Sequence, residues 1–184
     1  GGDEFAVLLE SVDGAGGGSG GSSRAKSTCS LSSCASAYWT RPWARSRKRC
    51  RSLTAVQLLE GYRKRELSPV EVARDVLARI EKFNPRLNAF CFISDSILED
   101  AKESEARWLA GRPRGLLDGV PVSIKELVRV KGWPASMGSK LTDKTPVDAD
   151  APAVARLREA GAIVFAQSTS SEYGHKGVTD SPLR

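Results

Sequence analysis

The chain of 184 residues carries 28 Lys and Arg against 22 Asp and Glu, a formal net charge of +6, with 40% hydrophobic and 27% charged residues. That length holds one domain with a real core, or one domain plus an unfolded arm, and leaves no room for two complete domains. The charge excess is local: Arg24, Lys26, Arg41, Arg45, Arg47, Lys48, Arg49 and Arg51 lie in a stretch without Asp or Glu, so the basic balance describes an arm and argues against a nucleic-acid partner for the whole protein. Cys29, Cys34, Cys50 and Cys91, with His175 as the one histidine, make no metal-ligand spacing; no metal and no cofactor is expected. Their density does not suggest a disulfide scaffold, which makes a reducing, cytoplasmic compartment the default. No apolar run approaches the roughly 18 residues of a membrane span, and no signal-peptide pattern occurs, so no membrane partner is expected. Residue 1 is Gly and the one methionine is Met137, the pattern expected of a fragment or a processed product.

Residues 1–13 open strand-like, with Phe5, Val7 and Leu9 alternating with Ala6, Leu8 and Glu10. Residues 14–52 lose all periodicity: GAGGGSGGSS has flexible-linker composition, and the following Ser, Cys, Trp and Arg mixture has neither helix nor strand period. A disordered arm is expected there. The abrupt loss of pattern also fits a stretch read in a shifted frame. Trp39 and Trp43 among the arginines offer the alternative of a nucleic-acid-binding arm.

From Leu53 onward caps, periods and turns agree, as they do in a foldable segment. A helix is predicted behind Thr54. SPVE at Ser68 to Glu71 is a capping box with Pro at the first helical position. The helix it opens places Val72, Val76, Ile80 and Phe83 on one face, flanked by Ala73 and Leu77, and Asn84-Pro85 is predicted to end it. AFCFIS is a short strand. SILEDAKESEARWLAG is a helix with Leu98, Ala101, Trp108 and Leu109 toward a core and Gly111 as its cap. Gly119 turns the chain into a strand in which Val120, Val122 and Ile124 alternate. Asp150 is predicted to cap the helix APAVARLREA, Gly161 to end it, and AIVFA to follow as a buried strand. Strand, helix and continuous apolar strand predict a βαβ crossover, and an α/β fold with a mixed or parallel sheet flanked by helices.

Lys125 stands at the end of the alternating strand. The carboxyl ends of parallel strands are where open α/β sheets place ligand crevices, and a partly desolvated lysine can serve as a neutral base toward a serine hydroxyl. As a pattern alone, a lysine there is ordinarily a solvated strand end, and a catalytic one is the exception.

Three blocks in order, RELSPVEVARDVLARIEKFNPRLNAF, GLLDGVPVSIKELVRVKGWPASMGSK and DADAPAVARLREAGAIVFAQSTSSEYGHKGVTDSPL, resemble the amino-terminal portion of the amidase signature family. They assign residues 53–184 to an incomplete amidase domain. The resemblance implies a serine hydrolase of carboxamide carbon–nitrogen bonds with a Ser, cis-Ser, Lys triad. The family's lysine falls on Lys125, which relays a proton through a bridging serine to the nucleophile, while backbone amides form the oxyanion hole. Both serines belong to a Gly/Ser-rich segment beyond the Ser-Pro-Leu turn, and the chain ends at Ser181-Pro182-Leu183-Arg184. Inactivity of this polypeptide alone is therefore expected. The run GGGSGGSS resembles the family's serine loop in letters but precedes Lys125 and is assigned to the linker.

The resemblance places Gly138 and Ser139 in a loop by the substrate cleft. It places Thr169, Ser170 and Ser171 after the second strand, where many members have Lys-Thr-Asn and this chain has Gln167-Ser168-Thr169. His175 is expected to be an ordinary polar loop residue. The expected partner is a small-molecule amide in the complete enzyme, and unpaired sheet edges predict self-association of the fragment. A general amidase and the amidotransferase component that supplies ammonia for aminoacyl-tRNA stay undivided at this point.

GGDEFAVLL resembles the signature hairpin of GGDEF diguanylate cyclases. That implies a nucleotide- or metal-binding remnant at Gly1, Gly2, Asp3 and Glu4, within residues 1–13. Two-metal chemistry needs further carboxylates and a full domain of roughly 100 residues, so cyclase activity is not expected.

Overall fold

The computed structural model describes residues 53–180. The hairpin expected at residues 1–13, with Gly1, Gly2, Asp3 and Glu4, and the arm expected at 14–52 lie outside the described residues. The elements run α1 (Ala55–Lys64), α2 (Pro69–Leu87), β1 (Phe90–Ile93), α3 (Ile97–Leu109), β2 (Pro121–Lys125), α4 (Pro152–Glu159) and β3 (Ile163–Ser168), followed by one 3-10 turn at Glu172–Gly174. The sheet order is β1-β3-β2. β2 and β3 are parallel and joined through α4, the predicted crossover, while β1 pairs with β3 antiparallel.

Helix starts follow the chemistry of their caps. Thr54 and Ser68 each complete a reciprocal capping box, with Gln57 and Glu71 respectively. α2 does not stop at Asn84-Pro85 as predicted. It runs through Pro85 to Leu87 and ends at Asn88, whose left-handed backbone (φ +49°) lets its N–H reach the Asn84 carbonyl at 2.7 Å. So close to the helix end the ring of Pro85 forfeits only one hydrogen bond. Asn84 instead fixes the exit: its side chain both donates to the Phe90 carbonyl (3.1 Å) and accepts the Phe90 N–H (2.9 Å), aiming β1 at the sheet.

The sheet separates two apolar clusters. Leu58, Tyr62, Val72, Ala73, Ile80, Ile97, Ala101 and Trp108 from α1 to α3 pack with Ile163, Phe165 and Ala166. Val120, Val122, Ile124, Val130, Trp133, Val154 and Val164 form the other. Phe83 and Leu109, predicted to face the core, are 37% and 40% exposed. Phe83 lies near the end of α2 and carries the Arg79 and Lys82 cations against its ring, at 5.7 and 5.0 Å from the centroid. On α3 the inward face is Ile97, Ala101, Ser104 and Trp108. That face is a clean helical repeat, which leaves Leu109 rotated toward solvent.

The predicted Asp150 cap is also different. The N-cap of α4 is Ala151, without a side-chain bond. Asp150 instead accepts the Lys131 N–H at 2.7 Å and pairs with Arg158, because the chain arriving from the long β2–α4 connection offers it an orphan amide. Gly161 ends α4 at φ +90°, where a Cβ would stand 2.8 Å from the Asp118 Cα.

Candidate active site

The position of Lys125 is set at the other end of its strand. Asp118, fully buried, accepts two guanidinium hydrogen bonds from Arg107 (3.0 and 2.7 Å) and the Arg114 N–H (2.7 Å). The Asp118 carbonyl receives the Trp108 indole N–H at 3.1 Å, and the Gly119 carbonyl receives the Tyr62 hydroxyl at 3.0 Å. Burial pushes the Asp118 carboxyl up, but the Arg107 and Arg114 hydrogen bonds outweigh it and hold the group below the usual carboxylate range. α1 and α3 thus grip the turn from which β2 leaves, and the direction of the strand follows.

From that anchor β2 runs beside β3 with Pro121 opposite Ile163 and Val122 opposite Val164. β3 then carries one extra residue, Phe165, before Ser123 meets Ala166, Ile124 meets Gln167 and Lys125 meets Ser168. Lys125 is half-buried at the carboxyl end of the parallel pair. The ladder extends one step further, with the Glu126 N–H donating to the Ser168 carbonyl at 3.0 Å, and the turn is closed by Val128 N–H to the Lys125 carbonyl at 2.8 Å.

The loop after β2 and the segment after β3 are stitched together beside this end. Gly138 is buried with φ +66°, and a Cβ there would lie 2.9 Å from the carbonyl oxygens of Ser170 and Ser171. Ser139, fully buried, donates its hydroxyl to Glu172 at 2.5 Å and accepts the Leu141 N–H at 3.1 Å. The Tyr173 N–H reaches the Met137 carbonyl at 2.8 Å. Gly138 and Ser139 therefore share one neighbourhood with Ser170. Thr169 is turned to the start of β1, its hydroxyl donating to the Asn88 carbonyl at 3.1 Å. Ser171 donates to the Lys176 carbonyl, and His175 lies exposed with its ring against the Glu172 carbonyl.

Sequence reasoning passed over Glu126, Ser136 and Glu172. Glu126 is fully buried; its carboxylate accepts the Ser170 N–H at 2.8 Å and the Ser136 hydroxyl in a short hydrogen bond. The signal was present: Val120, Val122, Ile124 and Glu126 continue one alternation, and an acid on the buried phase of a strand is an exception that asks for partners. Glu172 has no such pattern. Among the described residues no group of three or more His, Cys, Asp or Glu could hold a metal ion, and no helix is long and apolar enough to cross a membrane.

Lys125 and the two interlocked loops lie at the same end of the parallel strand pair. Comparison with known proteins gives this geometry a lineage. The family model "Amidase" matches residues 71–184. The chain is 37% identical over 134 residues to the A-type glutamyl-tRNA(Gln) amidotransferase subunit of Bdellovibrio bacteriovorus, covering 68% of this chain and 27% of that protein. It is 33% identical over 132 residues to an acylamidase of Rhodococcus erythropolis, covering 71% of this chain and 28% of the relative. Among solved structures, a bacterial aryl acylamidase of the amidase signature family superposes with a TM-score of 0.63 at 27% identity, over 70% of this chain and 27% of that one. The native peptide amidase of Stenotrophomonas maltophilia does so with a TM-score of 0.62 at 30% identity, over 66% and 26%. The chain thus spans about a quarter of the length of these relatives, and it belongs to the amidase signature family.

Proposed function

We propose that residues 53–184 are the lysine-bearing part of a carboxamide hydrolase, with Lys125 as the base of a Ser, cis-Ser, Lys triad. The observation that supports this most is the place of Lys125, half-buried at the carboxyl end of β2 and held in the ladder against Ser168. In its neutral form the amine takes a proton from a bridging serine, which takes one from the nucleophilic serine as that oxygen attacks the amide carbonyl. The proton returns to the leaving nitrogen, ammonia or an amine departs, and water then hydrolyses the acyl-enzyme by the reverse relay. No cofactor enters this scheme.

The chain supplies one triad member in this assignment, so the 184-residue polypeptide does not hydrolyse amides by itself. Joining it to a serine-bearing carboxyl-terminal segment of a relative and measuring ammonia release from simple carboxamides tests the proposal. Release by the joined protein and none by the chain alone is expected. Hydrolysis by the purified chain alone would overturn the assignment of the missing groups.

A second reading follows from the relatives named as glutamyl-tRNA(Gln) amidotransferase subunits. The same lysine would then serve to release ammonia from an amide donor for delivery to an aminoacyl-tRNA. Glutamine as the preferred amide in the joined protein supports this reading, and preference for aryl or alkyl amides supports the general amidase.

A further inference from the structure

Glu126 is fully buried immediately after Lys125. Its Oε1 accepts the Ser170 N–H at 2.8 Å and the Ser170 hydroxyl at 3.4 Å. Its Oε2 accepts the Ser136 hydroxyl, and the Cys91 thiol, 3.4 Å from the Gln167 carbonyl, lies 3.7 Å from the same oxygen. Two separate segments are joined through it, the loop after β2 through Ser136 and the segment after β3 through Ser170, with Cys91 of β1 alongside. The Ser170 N–H and the Ser136 and Ser170 hydroxyls all donate. An ionised carboxylate accepts at both oxygens, whereas an amide in its place would turn an NH2 toward donors on one side. Burial of a carboxylate carries a large desolvation cost unless it is hydrogen-bonded in this way, so the donor set selects an acid at this position.

We propose that Glu126 is the positioning residue of Lys125: a buried carboxylate clasp, acting through the backbone, that fixes the end of β2 and so the place of the lysine amine. This rests on the assignment of Lys125 as the family's lysine. The same clasp holds Ser170 against Gly138, whose missing side chain leaves room for the Ser170 and Ser171 carbonyls. Ser139 with Glu172 ties the same two loops a second time.

Competitive labelling of lysines with an amine-acylating reagent, resolved by peptide mass spectrometry on the 184-residue chain, tests this. The readout is the rate at Lys125 divided by the rates at Lys82 and Lys102, both exposed on helices. The ratio is expected to change by about threefold in Glu126→Ala, with Glu126→Gln restoring part of it through the acceptor oxygen it keeps. Ser136→Ala, which removes a single donor, shifts it in the same sense and carries the test if Glu126→Ala does not fold. Ser68→Ala, a capping change in α2 remote from the clasp, is expected to lower the melting temperature with the ratio unmoved. A ratio unchanged in folded Glu126→Gln and Ser136→Ala, or shifted equally by Ser68→Ala, would overturn the positioning role. Survival of hydrolysis in a serine-completed Lys125→Ala protein would instead remove the triad assignment and leave these ratios as measured.

Discussion

Lys125 and Ser168 are partners at the last rung of the parallel ladder between β2 and β3. At the other end of β2, α1 and α3 hold the Asp118-Gly119 turn through Tyr62, Arg107 and Trp108. A lysine at a strand end would otherwise be an ordinary surface group. Here the backbone is held at both ends of its strand, at the Asp118-Gly119 turn and by the Glu126 N–H on the Ser168 carbonyl.

The turn anchor makes stability depend on pH in a defined direction. Asp118 is held below the usual carboxylate range, so its contribution is fully present at neutral pH and is lost as pH falls from the ordinary carboxylate range toward the lowered folded value. Melting temperature is expected to decline from about pH 5 downward in the parent chain, and less steeply in Asp118→Asn. At neutral pH that substitution leaves the Arg107 guanidinium without its buried partner and is expected to cost about 3 kcal/mol. Thermal melts across the pH series check the first point, and denaturant unfolding at neutral pH checks the second. Parallel slopes for the two proteins would show that Asp118 is not the group responsible.

Gly138→Ala is expected to open the junction between the two loops. The substitution combines a left-handed backbone with a Cβ 2.9 Å from two carbonyl oxygens, a cost of about 2 kcal/mol. Because Tyr173 N–H is bonded to Met137, hydrogen exchange at the Tyr173 amide should quicken, while amides of β3 such as Ile163 keep their protection.

β1 and β2 are the outer strands of the three-stranded sheet, and Leu116 and Leu141 are 86% and 87% exposed. Self-association through such surfaces is expected for the isolated chain. Sedimentation velocity over a range of concentrations should show species larger than one chain; a single monomer boundary throughout would contradict this.

The sequence made the helices legible where a cap and a repeat agreed. Thr54 and Ser68 cap α1 and α2 as their side chains predict, and the crossover from β2 to β3 follows from two apolar strands around a short amphipathic helix. Pro85 misled because its effect depends on how near the helix end it lies and on what Asn84 can bind beyond it. Asp150 misled because an acid before a Pro-initiated helix has the same letters whether it caps that helix or accepts a distant amide. The place of Lys125 at the end of β2 was legible through the alternation before it. Glu172 was not: a loop acid gains a buried serine partner only when two loops distant in sequence meet, and local pattern carries no trace of that meeting.

The most direct measurement is carboxamide hydrolysis by the serine-completed protein with Lys125 and with Lys125→Ala, both checked for folding. Lys125 lies outside the two apolar clusters, so the variant is expected to fold. The account predicts a fall in kcat of about a thousandfold or more, as for removal of a triad member. Full activity in Lys125→Ala would contradict it.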